Sequence, residues 1–134
     1  SKSEISDLSR INLTDDKDTI VNKIKKAKTD SLPLPSNIEE LTERPEAKNL
    51  LGIYSSLTNL TLDKSIKDFE GKNFSDFKES LTQILVEKIE PISSEIKKLI
   101  NNKDFLDKIL SDGYKKANNI ASIKVKKMQE IIGF

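Results

Sequence analysis

The sequence predicts an all-α fold, an irregular bundle of about five helices with one long helix kinked at Pro91. Three observations predict it. Apolar residues recur at steps of three and four from Asp15 onward. Capping residues, prolines and glycines punctuate these runs where helices start and stop. Apart from a weak alternation over residues 5–13, no strand pattern is present.

The elements follow in order. Ser6 to Leu13, with Leu8, Ile11 and Leu13 alternating, reads as an extended segment or loop. Thr14-Asp15-Asp16 starts a helix, with an oxygen-bearing cap and two acids in the first turn. Ile20, Val21, Ile24 and Ala27 give that helix a narrow apolar face. Lys23, Lys25, Lys26 and Lys28 crowd the rest, and Lys28-Thr29-Asp30 ends it. In Ser31-Leu32-Pro33-Leu34-Pro35-Ser36 the residue before each proline is pushed towards extended geometry. A stiff connector is preferred there to a recruitment motif for a proline-binding domain. Asn37 to Thr42 has room for one helical turn. Pro45 suits a first helical position, and Ala47, Leu50, Leu51, Tyr54 and Leu57 keep helical spacing behind it. Gly52 costs roughly 1 kcal/mol relative to Ala in a helix, which points to close packing on its face. Thr61 caps a short helix with Leu62, Ile66 and Phe69 inward, and Gly71 closes it.

The stretch from Phe74 to Asn102 organises the chain. Phe77, Leu81, Ile84, Leu85, Ile89, Ile92, Ile96, Leu99 and Ile100 form one stripe on a helix about 40 Å long at ~1.5 Å per residue. Ser75 is its expected N-cap. Pro91 removes one donor and crowds the carbonyl of Glu87. The stripe stays in phase on both sides, so a bend is expected rather than two helices. Asn101-Asn102 stops it. Asn102 caps a last helix carrying Phe105, Leu106, Ile109 and Leu110, then Gly113, Ala117 and Ala121 spaced by four, then Ile120, Met128 and Ile131. Lys115, Lys116, Lys126 and Lys127 share the opposite side, with no acid between Gly113 and Gln129. Lys124 falls on the apolar face. Either the helix is interrupted near Ser122, or Lys124 meets a surface that is polar in the complete protein.

Composition narrows the chemistry. The chain has 134 residues, enough for one core without staples. It has no Cys and no His, which removes disulfides, thiolate metal sites, and the commonest general base and metal ligand. No Gly-rich phosphate loop or metal-ligand cluster is visible, and no metal site is expected. The net charge of +1 demands no polyanionic partner. No apolar run approaches the ~20 residues of a membrane span and no signal peptide opens the chain, so a soluble, cytoplasmic protein without a membrane partner is expected. Lysine outnumbers arginine 21 to 2, a bias that fits an AT-rich genome. Two basic patches remain, Lys23 to Lys28 and Lys115 to Lys127. Ordinary helix solvation is the simpler account of both, and a phosphate-contacting surface is the functional one. Neither patch interleaves aromatics for base stacking, and the scarcity of arginine argues against base-edge reading.

Ser1-Lys2-Ser3 resembles the end of the Lys-Met-Ser-Lys-Ser signature of class I aminoacyl-tRNA synthetases. Its company is more specific. Arg10-Ile11-Asn12-Leu13-Thr14-Asp15-Asp16, Lys23-Ile24-Lys25-Lys26-Ala27-Lys28-Thr29-Asp30, Arg44-Pro45-Glu46-Ala47-Lys48-Asn49-Leu50-Leu51-Gly52-Ile53-Tyr54, Phe69-Glu70-Gly71, Phe74-Ser75-Asp76-Phe77-Lys78, and Asp112-Gly113-Tyr114-Lys115-Lys116-Ala117 through Ile132-Gly133-Phe134 resemble, in order, the tryptophanyl-tRNA synthetases of the bacterial and mitochondrial type. The resemblance covers the whole chain.

It implies a parent that joins tryptophan to tRNA(Trp) through a tryptophanyl-adenylate, using ATP with Mg. It also implies a fragment whose Rossmann fold and tryptophan pocket precede Ser1, and which is inactive alone and binds no cofactor. Residues 1–14 are then the end of the catalytic ATP loop and a connector, and residues 15–134 a C-terminal helical domain of the anticodon-binding type. Ser1, Lys2 and Ser3 are the implied ATP contacts. Lys2 is the implied catalytic residue, stabilising charge that develops on pyrophosphate. Lys23, Lys25, Lys26, Lys28, Lys115, Lys116, Lys126 and Lys127 are the candidate tRNA contacts. The last helix has an alternative role, docking on the catalytic domain through Gly113, Ala117, Ala121 and Lys124. The family implies a homodimer, with contacts mostly outside this stretch. The competing function class is a helical protein-interaction module with no nucleic-acid role.

Overall fold

The computed structural model describes residues 5–133. Ser1, Lys2 and Ser3, the expected ATP contacts, lie outside the described residues, as do Glu4 and Phe134. Among the described residues there are five α-helices and no strand: α1 Lys17–Lys26, α2 Pro45–Thr58, α3 Leu62–Phe69, α4 Phe74–Asn101 and α5 Lys103–Ile132. Single 3-10 turns occur at Asp7–Ser9 and Glu39–Leu41. The chain divides into two compact units, one ending at Ser94 and the other beginning at Glu95.

The first unit holds a core cluster, which gathers the inward faces of α1 to α4. Ile20, Leu41, Leu51, Ile66, Phe77 and Leu81 are all but sealed from solvent. Phe69 and Phe77 belong to this core, and the half-buried Tyr54 packs against them, so that three successive helices each contribute a ring. Phe69 stands edge-on to Tyr54 at 5.0 Å and to Phe77 at 4.9 Å, the offset that aromatic quadrupoles favour. The connector is held rather than merely stiff. Leu34 is buried; its N–H donates to Lys72 O at 2.9 Å and its carbonyl accepts from Gly71 N at 3.2 Å. The Arg44 fork binds both oxygens of Asp30 at 2.9 and 2.7 Å and donates to Pro33 O at 2.8 Å. The guanidinium hydrogen bonds hold the Asp30 carboxyl below its ordinary range.

Several local expectations are corrected. The N-cap of α4 is Asn73, not Ser75. Its side-chain oxygen accepts from Asp76 N at 2.9 Å while its amide donates to the Asp76 carboxylate at 2.9 Å, satisfying both residues reciprocally. Helix α1 ends at Lys26, two residues before Lys28. No close approach requires Gly52, since a Cβ there would have no atom of another element within 4 Å. One expectation holds: α4 passes Pro91 as a single helix and not as two.

In the second unit, α5 is continuous through Ser122, capped by Asn102 at its start and by left-handed Gly133 (φ 83°) at its end. The interruption considered for Lys124 is therefore absent. Helix α5 buries none of its residues. Its three-and-four spacing records a face that can be buried, which is a weaker statement than one that is.

Candidate functional site

The chain between residues 7 and 16 is irregular, yet it is fixed. Asp16 is the α1 cap, its carboxylate accepting from Thr19 N at 2.9 Å. Asp15 turns the other way. It is 8% exposed and accepts from Lys23 Nζ at 2.7 Å and from Asn12 N at 2.9 Å. Lys23 Nζ also donates to Asp7 at 2.6 Å, and Asn12 Nδ2 donates to the other Asp7 oxygen at 2.9 Å. Burial by itself pulls the Lys23 ammonium down. Hydrogen bonds to Asp15 and Asp7 more than offset this and raise its pKa above the ordinary lysine value. The same contacts, that to Lys23 first, lower Asp7 below the usual carboxylate range.

Lys23 therefore sits apart from its lysine neighbours. It is 4% exposed and has no surface to offer a phosphate. Lys25, Lys26 and Lys28 are exposed. Lys28 lies 3.2 Å from Glu46, a largely solvated pair worth little to stability. The Glu46 carboxyl is lowered first by a backbone hydrogen bond and then by Lys28. Lys115, Lys116, Lys126 and Lys127 are exposed on the unbroken α5. The eleven-residue step from Lys115 to Lys126 carries the second pair three helical turns along, about 16 Å, to nearly the same side.

Reading the sequence missed a cleft of about 790 Å³ between α1 and α4. Lys17, Lys25 and Lys78 line it over Val21, Val86 and Phe74, and Glu79 and Glu87 face the same space. Acids beside lysines leave no anion preference. Lys78 is already engaged. Its Nζ donates to Ala27 O at 2.7 Å, capping the carbonyl end of α1, and burial lowers its pKa. The spacing of Lys78 carries no signal for this role, because the carbonyl it meets lies 51 residues away.

The family model for class I tRNA synthetases (W and Y) matches residues 1–90. The chain belongs to the class I W and Y tRNA synthetases. Within this class it is 46% identical over 134 residues to the tryptophan–tRNA ligase of Brucella melitensis, covering all of this chain and 38% of that protein. The tryptophan–tRNA ligase of Mesorhizobium japonicum is 47% identical over 133 residues, 99% of this chain and 38% of its own length. That of Rickettsia felis is 48% identical over 134 residues, all of this chain and 40% of its own. The chain thus spans about two fifths of the relatives it matches. Among the described residues, no helix is long and apolar enough to cross a membrane.

Proposed function

We propose that this chain is the helical, tRNA-contacting part of a tryptophan–tRNA ligase, together with the end of its ATP loop. The carrying observation is 46–48% identity over essentially the whole chain to proteins named as tryptophan ligases, within a class that also serves tyrosine. In this reading the whole enzyme is a cytoplasmic homodimer whose substrates are tryptophan, ATP with Mg, and tRNA(Trp). The tryptophan carboxylate attacks the α-phosphate of ATP, forming tryptophanyl-adenylate and releasing pyrophosphate. The tryptophanyl group then passes to the tRNA with loss of AMP. Lys2 supplies positive charge where it builds on pyrophosphate, and Ser1 and Ser3 flank it against the triphosphate. Lys25, Lys26, Lys28, Lys115, Lys116, Lys126 and Lys127 are the phosphate contacts, as point charges rather than base readers.

The charging specificity of the full-length protein tests this reading. Tryptophan and not tyrosine is expected on the tRNA; tyrosine charging, or none, would overturn it.

A second reading has one observation of its own. Helix α5 exposes Ile120 at 68% and Met128 at 64%, which favours a protein-interaction module for that element.

A further inference from the structure

The cleft between α1 and α4 has walls of opposite charge. Lys17, Val21 and Lys25 recur every four residues along α1, and Glu79, Gln83 and Glu87 do the same along α4. Two bonds show how these helices run. Lys78 Nζ reaches Ala27 O at one end, and Ser93 Oγ donates to Thr14 O at 3.2 Å at the other. The helices are therefore antiparallel, with Lys25 nearest the level of Glu79 and Lys17 nearest that of Glu87. Among the described residues no ion pair crosses the cleft. The side chains of Lys17, Lys25 and Glu79 have no partner there, and Glu87 meets only Gln83, at 3.1 Å. The floor between the walls is partly apolar, and Val21 is left 39% exposed.

We propose that this face is a self-association surface, on which a second copy of the chain packs about a two-fold axis parallel to α1 and α4. Charge complementarity selects the occupant. A partner must bring acids to α1 and bases to α4, and the chain itself presents that pattern. A polyanion suits the α1 wall alone and is repelled by the α4 acids. Complementarity also selects the axis. Rotation about an axis parallel to the helices sets α1 of each copy over α4 of the other. Lys17 then faces Glu87 of the partner subunit, and Lys25 faces Glu79 of the partner subunit. Rotation about an axis across the helices would set lysines over lysines and glutamates over glutamates, which is repulsive. The same packing covers Val21 and Val86, which adds an apolar contribution. The contact is independent of the ligase chemistry. Lys26 and Lys28 lie outside the cleft and stay open to phosphates, while Lys25 is common to both surfaces.

The test is sedimentation equilibrium of the 134-residue chain at low salt. A reversible monomer–dimer equilibrium is expected, in the micromolar range and weakened by salt, because the face is small and its charges are exposed. Two variants decide where the copies meet. Lys17→Glu with Lys25→Glu makes both walls acidic, and Glu79→Lys with Glu87→Lys makes both basic. All four positions are exposed, so the fold should tolerate the changes. Each variant alone is expected to dimerise more than ~10-fold more weakly than the unsubstituted chain. Mixed in equal amounts, the two should pair with each other at about the unsubstituted strength, since every acidic wall then meets a basic one. Reversing all four positions in one chain should likewise restore dimerisation, and it gives the same decision if one of the paired variants does not fold. Association through the exposed apolar face of α5 would be indifferent to these charges. A chain that stays monomeric at ~1 mM, equal dimerisation of all variants, or no recovery on mixing and on full reversal overturns the proposal.

Discussion

Removing the Lys23 ammonium leaves the Asp15 carboxylate buried without its charge partner. Breaking such a pair on one side costs about 3–5 kcal/mol, so Lys23→Met should lower the urea midpoint of the 134-residue chain steeply. Lys23→Met combined with Asp15→Leu should recover much of it, since no lone charge then remains inside. The pH dependence has a definite sign. Asp7 and Asp30 are lowered from 3.8, so their stabilisation is present above that value and is lost as pH falls through their folded-state pKa values. Lys23 is raised from 10.5, so its stabilisation is complete below that value and is lost as pH rises through its folded pKa. Unfolding curves of Lys23→Met should accordingly show a smaller alkaline loss than the unsubstituted chain, and an alkaline loss identical in the two would contradict the assignment. At Lys2, one preorganised contact is typically worth ~10²–10³ in rate. Lys2→Ala in the full-length enzyme should slow adenylate formation by about that factor at unchanged tryptophan affinity, with Lys2→Arg rescuing only part. Lys23 also marks a limit of reading residues singly. Its position among Lys25, Lys26 and Lys28 gives it the look of surface charge, and the carboxylates that pair with it lie eight and 16 residues earlier.

Among the elements, α4 depends most on a contact that spacing does not reveal. Asn73→Ala removes the reciprocal cap and should destabilise the chain by ~1 kcal/mol, whereas Ser75→Ala should be nearly neutral. Comparable destabilisation by the two would return the cap to Ser75. The sequence leaves the choice open, because both residue types cap well and Phe74 between them can be the first helical residue or the last loop residue. Caps with one candidate were legible: Thr61 accepts from Lys64 N at 3.3 Å and Asn102 from Phe105 N at 3.2 Å. The stripe of α4 was legible where α1 to α3 cover it, at Phe77, Leu81, Leu85 and Ile89. Further along the same stripe, Ile92 and Ile100 are exposed at 43% and 57%. Periodicity reports the face of a helix and carries no information on its cover, which is also why the small-residue row of α5 could not be read as packed.

For the whole molecule, the helical class and family were readable because motifs in fixed order run through the chain, while the lysine surface depends on which ammonium groups reach solvent. The ligase reading gives this chain the helices and the last residues of the ATP loop, about two fifths of its relatives' length. The 134-residue chain alone should therefore show no tryptophan-dependent exchange of pyrophosphate into ATP, and exchange above a no-protein control would contradict that division of labour. The central claim, tRNA binding through exposed lysines, is tested most directly by the salt dependence of binding between this chain and tRNA(Trp). Neutralising six or more phosphates would make binding ~10³-fold weaker at 200 mM than at 50 mM salt, as counterions are released. Replacing Lys115, Lys116, Lys126 and Lys127 by Gln should then flatten the slope by up to ~0.9 for each phosphate that is no longer neutralised. Binding that is absent at low salt, or indifferent to salt, would contradict the account and leave the protein-interaction reading in its place.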